Sequence, residues 1–451
     1  MLTSKRLLQA FVLLLSVATL ASCLPASLAG DASLNRAFEA PWTTRMLLTR
    51  RDAFTDVRGT SGDVSLSSVG KRPGGAYARS LPVGGSGGRI FTWYSKTPHN
   101  EADAESAFIV IHGVNRNAHT YFSVLNKAYT AARDAGGYAS AAANSIRVAP
   151  LFFSTARDGG AYDSDALAWG DSNRWTAGEA STHPPNSGVS SFAVLDMFLD
   201  RFSDRSAYPR MKTITFVAHG GGGQFLQRYA VMGKDKPAPD RLSVRYVVGD
   251  PSSMLYFTPD RPVGVDVASC PTWNDYRYGV NGYSANYASL NTGNAASLFR
   301  RYAERDVRYV VGLADTSGEE GDQFCMARGL GGTKRRNRSL AYWKYIHLLA
   351  GHRADDYQGF PGRFPTLDPK HGDNGQANIP RSRSLSSTAA FRGRKVHHAL
   401  ALIQGAGHSV SQVYASDLGR RALFGSRGEA SGGSPPADAI ADLDGYTASA
   451  N

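Results

Sequence analysis

Short runs of apolar residues recur from the second quarter of the chain onward, without the alternating polar positions of a half-exposed strand. Such runs are typical of parallel strands that are buried on both faces of a sheet. Six are predicted to be strands, at residues 108–112, 146–150, 214–218, 244–248, 307–311 and 399–403. An earlier segment, residues 89–94, alternates apolar and polar side chains after a glycine-rich turn, which predicts an edge strand.

Helical periodicity appears between several of these strands. Apolar residues recur at helical spacing over residues 191–199, 224–232 and 340–349, and Gly233 is a suitable terminator for the second helix. Strands that alternate with helices predict an α/β architecture, a doubly wound and mostly parallel sheet. A ligand site is then expected at the carboxyl ends of the strands.

The rhythm divides the chain into regions. Residues 30–100 are predicted to be an N-terminal region with early strands, and residues 101–425 the main domain. Within that domain, residues 251–300 are rich in Tyr, Asn and Ser and are predicted to form loops or a small cap. Residues 355–393 are predicted to be a long Pro-, Gly- and Ser-rich insertion, and residues 426–451 a disordered tail.

The N-terminus has the layout of a secretory signal peptide. Lys5 and Arg6 precede an apolar run at residues 10–20, and small residues follow, which predicts a signal over residues 1–29. Cleavage near Ala29 and a lipoprotein-type site at Cys23 both fit, while a buried helix is the alternative. We therefore expect a secreted or cell-envelope protein, in contact with a membrane only through a lipid on Cys23.

The composition and charge of the chain limit the classes of molecule that it is expected to bind. The 451 residues are 42% hydrophobic and carry a formal net charge of +12, which favours anionic surfaces or substrates. The densest basic cluster, residues 334–338, lacks interleaved aromatic residues and fits no nucleic-acid-binding module, so it is predicted to be a solvated helix start. In an oxidising compartment Cys270 and Cys325 are expected to pair; two buried free thiols are the alternative.

One segment has the strand–turn–helix context of a nucleophile elbow. A β-rich strand, residues 213–219, runs directly into four glycines and then a helix. Asp315 follows the strand that ends at Gly312, and His408 follows the last strand. Elbow, then acid, then base is the chain order of α/β-hydrolases.

The residues around this elbow resemble a secreted, serine-esterase-like subgroup of the α/β-hydrolase superfamily. That subgroup has the elbow His-Ser-Ala-Gly-Gly-Gln, which continues toward Arg-Tyr-Ala, and residues 219–230 follow the pattern. The resemblance extends over roughly residues 100–425, with further matches at residues 112–113, 115–118, 121–122, 270–271, 276–279, 315–316, 325 and 407–408. It implies an α/β-hydrolase fold, an Asp315 that orients His408, and an oxyanion hole formed by the backbone N–H groups of Gly221 and Val114.

The chain departs from that pattern at the nucleophile, where Gly220 stands in place of serine. Glycine has no hydroxyl, so no acyl-enzyme forms through it. In a serine protease, removing the serine lowers kcat by about a millionfold, although roughly a thousandfold advantage over water remains from binding and the oxyanion hole. No substitute is evident, because Ser252 and Ser253 follow the next strand and Ser409 lies beside the histidine.

Other interpretations of these residues are weaker. The four glycines lack the spacing of a phosphate-binding loop, and His112 and His219 are predicted to be structural hydrogen-bonding residues. A metal site at His397, His398 and His408 lacks clustered carboxylates, so neither a metal nor another cofactor is expected.

Three functions follow. The first is a degenerate hydrolase that binds a ligand or partner without turnover. The second is an altered enzyme in which Asp315 and His408 activate water or transfer a proton in a lyase- or isomerase-type reaction. The third is an ordinary carboxylic-ester hydrolase with a substitution at residue 220. We favour esterase ancestry with impaired or absent hydrolysis and a small ester or lipid-like ligand; aromatic residues of the predicted cap line its pocket or pack locally (Tyr256, Phe257, Trp273, Tyr276 and Tyr278).

Overall fold

The computed structural model describes residues 70–449, except 137, 139–143, 171–172, 236–241, 284–286, 288–294, 371 and 373–387. The predicted signal peptide, Cys23 and much of the predicted 355–393 insertion lie outside the described residues. Among the described residues, no helix combines the length and apolar character needed to span a bilayer.

An eight-stranded sheet forms the centre of the molecule, and each predicted strand is present in it. Its order is β1-β2-β4-β3-β5-β6-β7-β8; β2 runs antiparallel to both neighbours, and the remaining pairs are parallel. The strands are β1 Ala76–Pro82, β2 Arg89–Ser95, β3 Ser106–Ile111, β4 Ser145–Leu151, β5 Thr213–His219, β6 Ser243–Gly249, β7 Asp306–Gly312 and β8 Ala399–Ile403.

The edge position belongs to β1, not to β2 as we predicted. β2 pairs with β1 on one side and with β4 on the other. Residues 76–82 were not recognised as a strand because their buried positions include the small residues Ala76 and Ala78, which give a weak hydrophobic signal.

Helices cover both faces of the sheet, which confirms the predicted α/β architecture, a doubly wound and mostly parallel sheet. Alternate residues of one strand point to opposite sides, so that Ile109 and Phe108 belong to two separate apolar cores. Helices α2 to α5 pack on the first core and α1, α6 and α7 on the second. The helices are α1 Ala118–Ala135, α2 Ser191–Ser203, α3 Gly221–Met232, α4 Ala295–Glu304, α5 Arg335–Ala350, α6 Val410–Ala415 and α7 Asp417–Phe424.

Smaller elements lie outside these layers. Two-residue strands pair Phe153–Ser154 with Ala168–Trp169, and short helices occupy Cys325–Arg328 and Asp438–Ala441. Single 3-10 turns are found at Glu101–Asp103, Arg174–Ala177, Ala354–Tyr357, Ala389–Phe391 and Gly428–Ala430. Cys270 and Cys325 form the expected disulfide.

Two further expectations are corrected. The region predicted as loops or cap contains the start of α4, whose Leu298, Phe299 and Tyr302 make an apolar helical face that the Asn- and Ser-rich composition obscured. The basic cluster does begin helix α5, but Arg335, Arg336 and Arg338 are buried rather than solvated. Their guanidinium groups bond to carboxylates and carbonyls from other segments.

The predicted disordered tail is also wrong over residues 426–449. Gly432 exchanges backbone hydrogen bonds with Leu400 and Leu402 beside β8. Farther along, Thr447–Ala448 pairs in parallel with Gly264–Val265. A segment of low apolar content is ordered here because its backbone groups are paired with strands that the rest of the fold supplies.

Candidate functional site

The elbow is built at the carboxyl end of β5. The strand ends at His219, α3 begins at Gly221, and Gly220 between them has φ 61° and ψ −123°. Its N–H donates to the carbonyl of Gly249, and its own carbonyl accepts from the N–H of Gln224. A positive φ at this bend is strained for residues that carry a Cβ, and glycine adopts it without that strain.

The glycines of the elbow are not equivalent. A Cβ on Gly222 would lie 2.4 Å from the carbonyl oxygen of His112, and a Cβ on Gly223 would lie 2.4 Å from that of Gly249. Both are glycine because α3 packs directly against strand-end backbone. A Cβ on Gly220 would instead meet His408 alone within 4 Å in the described part of the chain, its own chain neighbours aside. Position 220 is therefore the one whose side chain would point at His408 and not at strand-end backbone.

His408 and Asp315 meet opposite this bend. The Nδ1 atom of His408 lies 2.8 Å from Oδ2 of Asp315. The Nε2 atom lies 3.0 Å from the point where a Cβ of residue 220 would stand. Asp315 is buried, whereas the His408 side chain is 29% exposed. The tertiary structure thus brings together the three positions that sequence analysis selected.

Arg335 is a further member of this constellation, which sequence analysis missed. Its Nε atom lies 3.0 and 2.9 Å from the two carboxylate oxygens of Asp315, and its Nη2 atom lies 2.7 Å from Oδ1. The same Nη2 donates to Glu320 over 3.1 Å. Burial by itself would raise the pKa of Asp315, but hydrogen bonds from His408 and Arg335 lower it to about 2. Asp315 is therefore ionised at neutral pH.

A second imidazole–carboxylate pair lies beside the first. Nε2 of His219 is 3.1 Å from Oδ2 of Asp250, and both side chains are buried. The His219 ring lies 4.6 Å from the His408 ring. Burial lowers the pKa of His219, although the hydrogen bond with Asp250 opposes this effect. Asp250 directly follows β6, and that position after a strand was the only sequence signal for it.

The loop at residues 112–117, between β3 and α1, carries Val114, one of the two predicted oxyanion-hole residues, and lies against the start of α3. The backbone nitrogen of Val114 is 3.1 Å from the place of a Cβ on Gly221. As the first residue of α3, Gly221 has an N–H with no acceptor inside the helix. Arg116 donates to the carbonyl of Val114 over 3.1 Å and to Asp158 over 2.9 Å, which holds the loop in place.

His112 has the structural role that we expected. Its Nε2 accepts the N–H of Phe152 over 3.0 Å, so Nδ1 carries the proton and donates to the carbonyl of Gly113 over 2.8 Å. Burial lowers the pKa of His112 to about 3, which keeps the ring neutral.

The serines near the elbow have other partners. Ser253 donates to Gln224 and accepts from Arg228 inside the core. Ser409 caps α6 by accepting from the N–H of Gln412. Ser252 is also buried. None of them stands at the position of Gly220.

Several other candidates lie away from the site. His397 and His398 precede β8 whereas His408 follows it, and His398 bonds to the carbonyl of Tyr302. Tyr256 is buried against Tyr342 and Tyr345, which is local packing. A cavity of about 790 Å³ lies beside α2, and Gly220, Asp315 and His408 are not among the residues that line it.

Comparison with known proteins gives structural matches only. No family model and no curated protein matches this sequence. A poly(aspartic acid) hydrolase from Sphingomonas sp. KT-1 is 19% identical with a TM-score of 0.44, and the alignment covers 76% of this chain and 96% of the other. LpqC, a poly(3-hydroxybutyrate) depolymerase from Bordetella parapertussis, is 15% identical with a TM-score of 0.46, covering 82% and 94%. An S-formylglutathione hydrolase from Agrobacterium tumefaciens is 12% identical with a TM-score of 0.35, covering 78% and 95%.

Proposed function

We propose that this chain is an exported α/β-hydrolase-fold protein of serine-esterase ancestry whose ester hydrolysis is impaired or absent because Gly220 has replaced the nucleophile. One observation carries the proposal: a side chain at residue 220 would point at His408 Nε2, where a hydroxyl would need its base. Asp315 orients that base, and the N–H groups of Gly221 and Val114 form the oxyanion hole.

Export is supported by two independent features. The N-terminal residues have the charged, apolar and small-residue order of a signal peptide. Cys270 and Cys325 form a disulfide, a bond that persists in oxidising compartments. The ligand proposed for the space beside Gly220 and His408 is a small ester or a lipid-like molecule, bound without a covalent intermediate.

The retained imidazole–carboxylate pair favours a second candidate function. His408 keeps a free Nε2 beside the space that a serine side chain would fill, and water in that space would be within reach of a general base. In this alternative the chain is a slow hydrolase or a lyase-type enzyme that acts without an acyl intermediate.

The test is hydrolysis of p-nitrophenyl esters by the full secreted chain in the presence of a chelator. Wild type is expected to show at most the slow residual rate that binding and the oxyanion hole give, and Gly220→Ser is expected to raise kcat/KM by on the order of a hundredfold or more. Gly220→Ala is the matched control, since it adds the same Cβ without a hydroxyl. A fluorophosphonate probe should label Gly220→Ser and not wild type.

Three outcomes bear on the two candidates. Strong turnover or fluorophosphonate labelling of wild type would contradict the loss of the nucleophile and reveal another one. Slow wild-type turnover that disappears in His408→Ala would favour direct activation of water. Absence of any gain in a folded Gly220→Ser variant would show that the remaining groups are not assembled for acyl transfer.

A further inference from the structure

The two imidazole–carboxylate pairs at the sheet edge make a compact set of metal-ligating atoms. One nitrogen or carboxylate oxygen from each of His219, Asp250 and His408 lies within 4.8 Å of the others. His219 ends β5 and Asp250 directly follows β6, so the sheet sets the positions of these two residues, while His408 lies in the short loop between β8 and α6. The serine-type chemistry proposed above makes no use of His219 or Asp250.

The separations suit a small divalent cation. The Nε2 atom of His219 is 3.1 Å from Oδ2 of Asp250. Zinc–nitrogen and zinc–oxygen bonds of about 2.0 to 2.2 Å place two ligands of a tetrahedral site roughly 3.3 Å apart. A cation would take the place of the proton that these two atoms now share. The third nitrogen has to approach by a short movement of His408, whose side chain is partly exposed.

Hydrogen bonds from neighbouring groups orient two of the three ligand side chains. Nδ1 of His408 bonds to Asp315, which leaves Nε2 as its free nitrogen, and Arg335 holds that carboxylate in turn. Oδ1 of Asp250 accepts the N–H of Gly312 over 2.8 Å, which leaves Oδ2 for a ligand bond. Carboxylate and backbone partners of this kind orient the ligands of protein metal sites.

Gly220 leaves space for a fourth metal ligand. A side chain here would lie 3.0 Å from His408 Nε2, and its absence leaves room for a fourth ligand from solvent. Three protein ligands and one open position are typical of catalytic rather than structural zinc sites. We propose that His219, Asp250 and His408 bind one zinc-like divalent cation, with the open coordination position over Gly220.

Metal binding tests this directly, without any assay of turnover. The full chain is stripped with a chelator, and Zn²⁺ alone is titrated by calorimetry. Wild type is expected to bind one equivalent. His408→Ala, on a partly exposed side chain, and Asp250→Asn, which keeps an oxygen acceptor for Gly312, should each weaken binding by about tenfold or more. His99→Ala is the control, since His99 is exposed and lies before β3.

Several results would overturn the proposal: no binding by wild type, wild-type affinity in either ligand variant, or an equal loss in His99→Ala. Circular dichroism of each variant checks that it is folded. A second measurement titrates Zn²⁺ into Gly220→Ala, whose added Cβ should crowd the open position beside His408 Nε2 and weaken binding relative to wild type. Because the hydrolysis tests above contain chelator, loss of the nucleophile and metal binding can fail separately.

Discussion

Arg335 and Asp315 form a buried ion pair in which one guanidinium spans both carboxylate oxygens, at 2.7 to 3.0 Å. The same carboxylate accepts from His408. Asp315 therefore accepts hydrogen bonds from both a guanidinium and an imidazole, at a position that is almost fully buried. This arrangement fixes the orientation of His408 and makes the protein's stability depend on the charge of Asp315.

Acid should destabilise the protein through Asp315. Its pKa is about 2 in the folded chain, below the usual value of 3.8, so the ionised form is favoured by folding. That contribution, about 2 kcal/mol, is fully present above pH 4 and is lost as the pH falls through 2. Urea unfolding at several pH values should show the loss in wild type and not in Asp315→Asn. Identical pH profiles for the two proteins would contradict it.

Removing the Arg335 side chain should lower the stability of the protein strongly. Arg335→Met leaves a buried carboxylate without its main partner, and the free energy of unfolding is expected to fall by about 3 to 5 kcal/mol. Arg353→Met is the matched control, because Arg353 is 79% exposed and pairs with Asp355 at the surface. Its change should stay within about 1 kcal/mol. Comparable losses in the two variants, measured by chemical denaturation, would exclude a special role for the buried pair.

The glycines of the elbow should differ in their tolerance of alanine. Gly220→Ala adds a Cβ at a positive φ and requires His408 to move by a few tenths of an ångström, a strain of about 1 to 3 kcal/mol. Gly223→Ala forces a Cβ against the backbone carbonyl of Gly249, which cannot withdraw without disturbing β6. Thermal unfolding should therefore rank Gly223→Ala well below Gly220→Ala. The reverse order would mean that a side chain at 220 meets a neighbour less able to move than His408.

The disulfide should contribute substantially to stability. Cys270 and Cys325 are separated by 55 residues, and closing a loop of that length stabilises by about 4 kcal/mol on the chain-entropy model. The double variant Cys270→Ala/Cys325→Ala should lose up to that amount in urea unfolding. Reduction of wild type should have a similar effect, while the double variant should be insensitive to reductant. A reductant effect on the double variant would point to another cause.

The amino-acid sequence by itself determined the architecture and the principal positions of the site. Uninterrupted apolar runs specify strands buried on both faces, and a strand followed by four glycines specifies a tight turn into a helix. Asp315 and His408 were predictable because each follows a strand, and the carboxyl ends of parallel strands meet at one edge of the sheet. These signals are local, so a short window of residues carries them.

Only the tertiary structure decided the neighbours of those positions. Arg335 is 20 residues from Asp315 in the chain, and His219 is 31 residues from Asp250. By composition, a cluster of basic residues predicts a solvated surface, and a Gly- and Ser-rich tail predicts disorder. In the folded chain, other segments supply buried carboxylates to the basic residues and unpaired strand edges to the tail. Which partner reaches a given side chain depends on how distant segments pack, and that packing is a property of the whole chain, which no local pattern contains.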